Sequence, residues 1–156
     1  MAEIRLQNEI KRILENEILP DISIPELRSI KVYKHDIPLT TEFEGDEEDT
    51  YFPCCIVKTC GGEIEKASDP QKTTIEIVIA IKDESENMSG HETLMIVIQR
   101  IRDYFLKHVG IRGEFRMKFP LKWNISDEFT TPYFIGNVVT VWELDAMRFD
   151  DPLGFL

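Results

Sequence analysis

The stretch "KTTIEIVIAIK", residues 72–82, alternates without a break from residue 75. Ile75, Ile77, Ile79 and Ile81 fall on one face of an extended chain, and Glu76, Val78 and Ala80 on the other. β-Branched residues at a period of two predict a strand with one deeply buried face. Upstream, "YFPCCIVKT" (51–59) reads as a second strand, and "CGGEIEKASDPQ" (60–71) as the turn or hairpin loop joining the two. Downstream, "DESENMSG" (83–90) is a polar loop suited to capping a helix. The helix itself is "HETLMIVIQRIRDYFLKHVG" (91–110), ended by Gly110.

In that helix Leu94, Ile98, Ile101 and Phe105 form the main stripe, and Met95, Ile96 and Val97 widen it. Its first half is therefore apolar nearly all round, as in a helix covered on two sides. The cover is either the sheet with another helix, or a neighbouring subunit. A first helix is read at the start of the chain. Leu6, Ile10, Ile13, Leu14 and Ile18 share one face, Glu3, Glu9, Lys11, Arg12 and Glu15 fill the other, and Pro20 ends it in the turn "PDISIP".

A strand is expected at 29–37. In "GEFRMKFPLKW" (113–123), Phe115, Met117 and Phe119 face one way and Arg116 and Lys118 the other. After the loop "NISDEFTTP", the strand "YFIGNVVTVWEL" (133–144) sets Val138, Thr140, Trp142 and Leu144 opposite Val139 and Val141. The predicted order is α-β-β-β-α-β-β. That is an α+β fold, a mainly antiparallel sheet of about five strands covered by two helices. The 156 residues fit one domain, 1–148. The segment 149–156 is a C-terminal tail without helix or strand period, in which Phe149, Leu153, Phe155 and Leu156 either fray or pack on a neighbour.

A net charge of −11 argues against nucleic-acid binding, which needs clustered Lys and Arg, and against adhesion to an anionic membrane. No apolar run approaches the length of a membrane span, and the periodic, charged N-terminus is unlike a signal peptide. An intracellular setting with reduced cysteines is expected. Six carboxylates, Glu42, Glu44, Asp46, Glu47, Glu48 and Asp49, crowd one stretch. This reads as a solvated loop, or as one that orders on a basic partner.

All three cysteines lie within residues 54–60. Cys54 and Cys55 are adjacent on a strand, so they point to opposite faces and cannot share one ion without a bulge. No CxxC pair exists, and His35, His91 and His108 lie on other elements. The bland reading, small residues of a strand, is preferred; Cys60 beside two glycines is the more exposed. "HETLM" starts like a zinc-protease helix but has Met95 where the second histidine belongs, and the acidic stretch lacks calcium-loop spacing. His108 reads as a residue favoured at a helix C-terminus. Neither catalysis nor a cofactor is expected; catalytic, cofactor and metal residues are each read as none.

The segments "YFPCCIVKTCGGEIE", "TTIEIVIAI", "LMIVIQRIRDYFLKH" and "FPLKWNISDEFTTPYFIGNVVTVWEL", over about 51–144, together resemble the tail terminator (tail completion) proteins of phages and prophages. The resemblance rests on packing and loop patterns, not on a catalytic motif. It implies a helix-backed α+β domain that assembles as a six-fold homo-oligomeric ring on the tail tube. Such a ring stops polymerisation, touches the sheath in contractile systems, and forms the junction to the neck or collar. The implied partners are copies of itself, the tail tube protein, the sheath protein and a neck or collar protein. The implied location is the bacterial cytoplasm during assembly, then the top of the tail. The alternatives are a head-completion or neck connector protein, or a monomeric acidic adaptor. The candidate subunit interface is Met95, Ile96, Val97, Phe149, Leu153, Phe155 and Leu156, and the six carboxylates at 42–49 are candidate partner contacts. The resemblance gives no specific role to that acidic stretch or to residues 145–156.

Overall fold

A computed structural model describes residues 2–22, 24, 30–36, 51–85, 89–128 and 132–144. The acidic residues 42–49 and the tail 149–156 lie outside the described residues. The first helix, α1 (Ala2–Ile13), runs into a widened turn, Leu14–Ile18, and a single 3-10 turn, Leu19–Asp21, that contains Pro20. Strand β1 (Lys31–Lys34) precedes β2 (Cys54–Glu63) and β3 (Lys72–Lys82). Helix α2 (Ser89–Lys107) follows, then β4 (Gly110–Ile111), β5 (Phe115–Ile125) and β6 (Tyr133–Leu144). The six strands form one sheet in the order β1-β2-β3-β6-β5-β4. The α+β class is as read from the sequence.

Several details differ from the sequence reading. The sheet is mixed, because β1 runs parallel to β2. Parallel neighbours need a long crossover, and the connection between these two strands carries the acidic stretch. Strand β2 does not stop at Thr59 but continues to Glu63 past a register shift between Thr59 and Gly61. Helix α2 ends at Lys107, and Gly110 opens β4 rather than closing the helix. The three-residue turn after β4 places Arg112 and Gly113 at φ 55° and 69°, the second of which needs no Cβ relief in glycine.

The helices lie on one side of the sheet, with α1 against β1 and β2, and α2 chiefly against β3 and β6. The alternation of β3 and β6 builds the floor. Ile75, Ile77, Ile79 and Ile81 join Val138, Trp142 and Leu144 in one cluster with Leu6, Ile10 and Leu14 of the first helical segment and Leu94, Ile98, Ile101 and Phe105 of α2. Most polar groups in this layer are paired, as burial demands; the Thr73 hydroxyl, buried on β3 opposite Trp142, has no hydrogen-bond partner among the described residues. The Gln7 amide donates to the Val57 carbonyl at 2.8 Å and so fastens α1 to β2. The Trp142 indole N–H donates to the Thr140 hydroxyl at 2.8 Å, and that hydroxyl donates to the Ile75 carbonyl at 3.0 Å. Glu9, a buried carboxylate on α1, is held by Arg12 at 2.6 Å and Arg112 at 3.6 Å.

Phe119 departs from the predicted alternation. Phe115 and Met117 are buried, but Phe119 is 63% exposed. The β5–β6 register shifts between Lys118 and Lys122, where Pro120 has no N–H to give to the ladder. The alternation therefore breaks at Phe119.

Candidate functional site

The two faces of the sheet are unlike. On the helix side every long strand contributes to the main core. On the other side, Cys54, Ile56 and Ala80 form a separate buried cluster flanked by Tyr33, Phe52, Val78 and Ile135, with no helical residue in it. Val139 and Val141 of β6 are half-buried on this face. Among the described residues no helix roofs it, although β3 and β6 carry apolar side chains on both faces. Strands of that composition are ordinarily covered on both sides. Polar side chains share this face: Glu76 accepts a hydrogen bond from the Asn137 amide at 2.7 Å, and Lys118 meets Glu143 at 3.3 Å.

The cysteines do not make a reactive centre. Cys54 belongs to the outer cluster and Cys55 to the main core, so the adjacent thiols point to opposite faces. Burial pushes the Cys54 thiol up to about 11, and it raises Cys55 further, with Cys54 adding to the effect. Cys60 is raised as well, first by partial burial and then by the Glu76 carboxylate. Cys54 and Cys55 are thus buried, protonated thiols closed to reagents, whereas Cys60, though raised, is exposed. Among the described residues no group of three or more His, Cys, Asp or Glu side chains is placed to hold a metal. Under native conditions an alkylating reagent is expected to modify Cys60 alone, and all three cysteines in denaturant. Mass spectrometry of the intact chain checks this; modification of Cys54 or Cys55 in the native protein would contradict the burial.

The polar groove of about 460 Å³ between the first helical segment and α2 was not anticipated from the sequence. There the Tyr104 hydroxyl donates to Glu17 at 2.8 Å, and the His108 ring lies 4.4 Å from the Tyr104 ring. Partial burial, then the hydrogen bond to Glu17, push Tyr104 up to about 12, so it remains a protonated donor. The groove's carboxylates and cations are mixed, and its tyrosine serves to tie two elements together. His108 does sit just past the C-terminus of α2, where its N–H donates to the Tyr104 carbonyl at 2.9 Å.

Of the interface residues proposed on α2, Met95 is half-buried and Ile96 is 38% exposed, so both reach the surface. Val97 does not. It is fully buried in the chain's own core, one turn from Leu94 and Ile101, and is closed to a partner. Phe149, Leu153, Phe155 and Leu156, and the six carboxylates at 42–49, lie outside the described residues. Other surface apolar groups were missed by the sequence reading. Phe119 and Trp123 are exposed on β5, and Ile64 is half exposed at the tip of the β2–β3 hairpin. Pro120 was the available signal for Phe119. Trp123 is exposed because α2 lies chiefly over β3 and β6 and leaves the outer part of β5 less covered.

Among the described residues no helix is long and apolar enough to cross a membrane. No protein-family model matches the chain, and no curated protein sequence matches it.

Proposed function

We propose that this chain is a structural assembly protein of a phage or phage-like tail, a tail terminator that caps the tail tube as a ring of identical copies. The ring would end tube growth and present the surface that the neck or collar joins. The observation that carries the reading is the one-sided cover of the sheet. Val78, Ile135, Val139 and Val141 lie half-buried on a face that no helix covers among the described residues, and Phe119, Trp123 and Ile96 stand exposed elsewhere. Apolar surface of this kind, on a strongly acidic chain, suits a protein finished by its neighbours. Copies related by a ring contact one another through two different patches, which a two-fold dimer would not require.

Sedimentation velocity of the purified chain tests the ring. A closed oligomer in equilibrium with monomer, seen as an annulus by negative-stain microscopy, is the expected result. A monomer at every soluble concentration would contradict it.

A further inference from the structure

The β5 margin of the sheet and the tip of the β2–β3 hairpin carry opposite charge, while β1, at the second margin, is itself basic with Lys31 and Lys34. β4 pairs only with Phe115 and Arg116, so the rest of β5 forms one margin of the sheet among the described residues. This strand contains no carboxylate; its register with β6 sets Lys118, Lys122 and, opposite Gly110 of β4, Arg116 on the face away from the helices, and it bears the exposed Phe119 at the register shift and the exposed Trp123 on the helix side. Lys118 is engaged by Glu143 at 3.3 Å, whereas Arg116 and Lys122 are exposed and form no ion pair with a described residue. At the opposite margin, β1 pairs only with Cys54–Val57, so the lower half of β2 runs past it. That half runs into Glu63, Ile64 and Glu65, all exposed; Lys66 follows them and Lys72 of β3 is paired opposite Glu63, but neither carboxylate forms an ion pair with a described residue.

We infer that the basic aromatic margin on β5 of one copy receives the acidic hairpin tip at Glu63, Ile64 and Glu65 of the next copy. The inference rests on the ring reading and names its contact. Within one chain the patches cannot meet, because β3 and β6 separate β2 from β5 by about 14 Å of sheet. A two-fold contact of β5 with β5 would set Arg116, Lys118 and Lys122 against their own copies, and like charges across an interface are unfavourable. The head-to-tail contact instead matches two cations and two aromatics with two carboxylates and an aliphatic side chain. This is a heterologous arrangement, of the kind that closes rings. The contact is made by side chains rather than by added strand pairing. Pro120 lacks a donor, the register shift interrupts the ladder, and lysines on an edge strand discourage backbone pairing. Exposed aromatics are the expected anchors, with the charges fixing partner and orientation.

The test uses the full chain and charge reversal at exposed positions, with a thermal melt of each variant to establish that it folds. Arg116→Glu with Lys122→Glu, or Glu63→Lys with Glu65→Lys, is expected to weaken self-association by at least about 30-fold in sedimentation. All four changes in one chain are expected to restore it, and so is mixing the two reversed variants. Phe119→Ala with Trp123→Ala is expected to weaken it by a similar factor without rescue by charge. Rings that persist in both reversed variants would overturn this contact and leave the ring reading standing. Failure of the four-fold variant to recover, while it melts normally, would overturn the pairing of these two patches. Charge-dependent association that yields only open dimers would uphold the contact and overturn the ring. A wild-type chain that never associates would overturn both.

Discussion

Replacing Trp142 by alanine is expected to cost about 3–5 kcal/mol of folding stability, the range for emptying a large aromatic site in a core. Its side chain is fully buried, stands edge-on to Phe105 at 5.5 Å between ring centres, and donates to Thr140 at 2.8 Å. The indole thus joins α2 to β6, and through Thr140 it reaches Ile75 on β3. Alanine leaves a cavity at the junction of three elements and removes a donor from a buried hydroxyl. For a domain of this size the melting temperature should fall by about 10 °C. Trp142→Phe should recover most of the packing and lose the hydrogen bond, so it should fall between the two. Urea unfolding of the three proteins measures this. A loss under about 1 kcal/mol for alanine would mean that α2 does not pack on β6 as described.

Gly136→Val is expected to destabilise by about 3 kcal/mol, at the upper end of ordinary overpacking. The cause is space, not backbone conformation. A Cβ on Gly136 would stand 2.9 Å from the Asn124 carbonyl oxygen, 3.0 Å from Ile98 Cδ1 and 3.4 Å from Leu94 Cδ1. The side-chain methyls can shift, but the Asn124 oxygen belongs to β5, which is paired with β6 across this position. Adding Ile98→Val, which removes one of the three obstacles, should therefore return only part of the loss. Full rescue by that second change would show that the helix, not the neighbouring strand, sets the limit. Unfolding midpoints of the single and double variants separate the two causes.

The strands at 72–82 and 133–144 were legible in full because each keeps its alternation over its whole length and buries one face deeply. Both helices were legible from the spacing of their apolar residues. Val97 was misread because it was counted as widening the stripe, although it lies three residues from Leu94 and four from Ile101, within the buried arc. Strand β4 was invisible, since two residues carry no period. The parallel pairing of β1 was invisible for another reason: strand direction depends on the path of the crossover, which composition does not encode. Phe119 was misplaced because the alternation was extended through Pro120. Glu9 belongs by spacing to the charged side of the first helix, and its burial depends on a partner distant in the chain, Arg112.

The uncovered sheet face was partly legible. Val139 and Val141 were seen opposite the buried residues of β6, and a strand apolar on both faces is itself a request for a second layer. The acidic hairpin tip was written in sequence as the end of "CGGEIE" but had no meaning until β5 and β2 were placed at opposite margins of one sheet. Charge on a strand becomes a docking feature only when the topology shows which margin bears it.

The measurement that bears most directly on the central claim is tail length by electron microscopy in a particle-producing strain lacking this gene. The tail terminator reading predicts overlong tubes of uneven length, restored to uniform length when the gene is returned. Tubes of normal, uniform length in the deletion strain would contradict it, whether or not heads were attached.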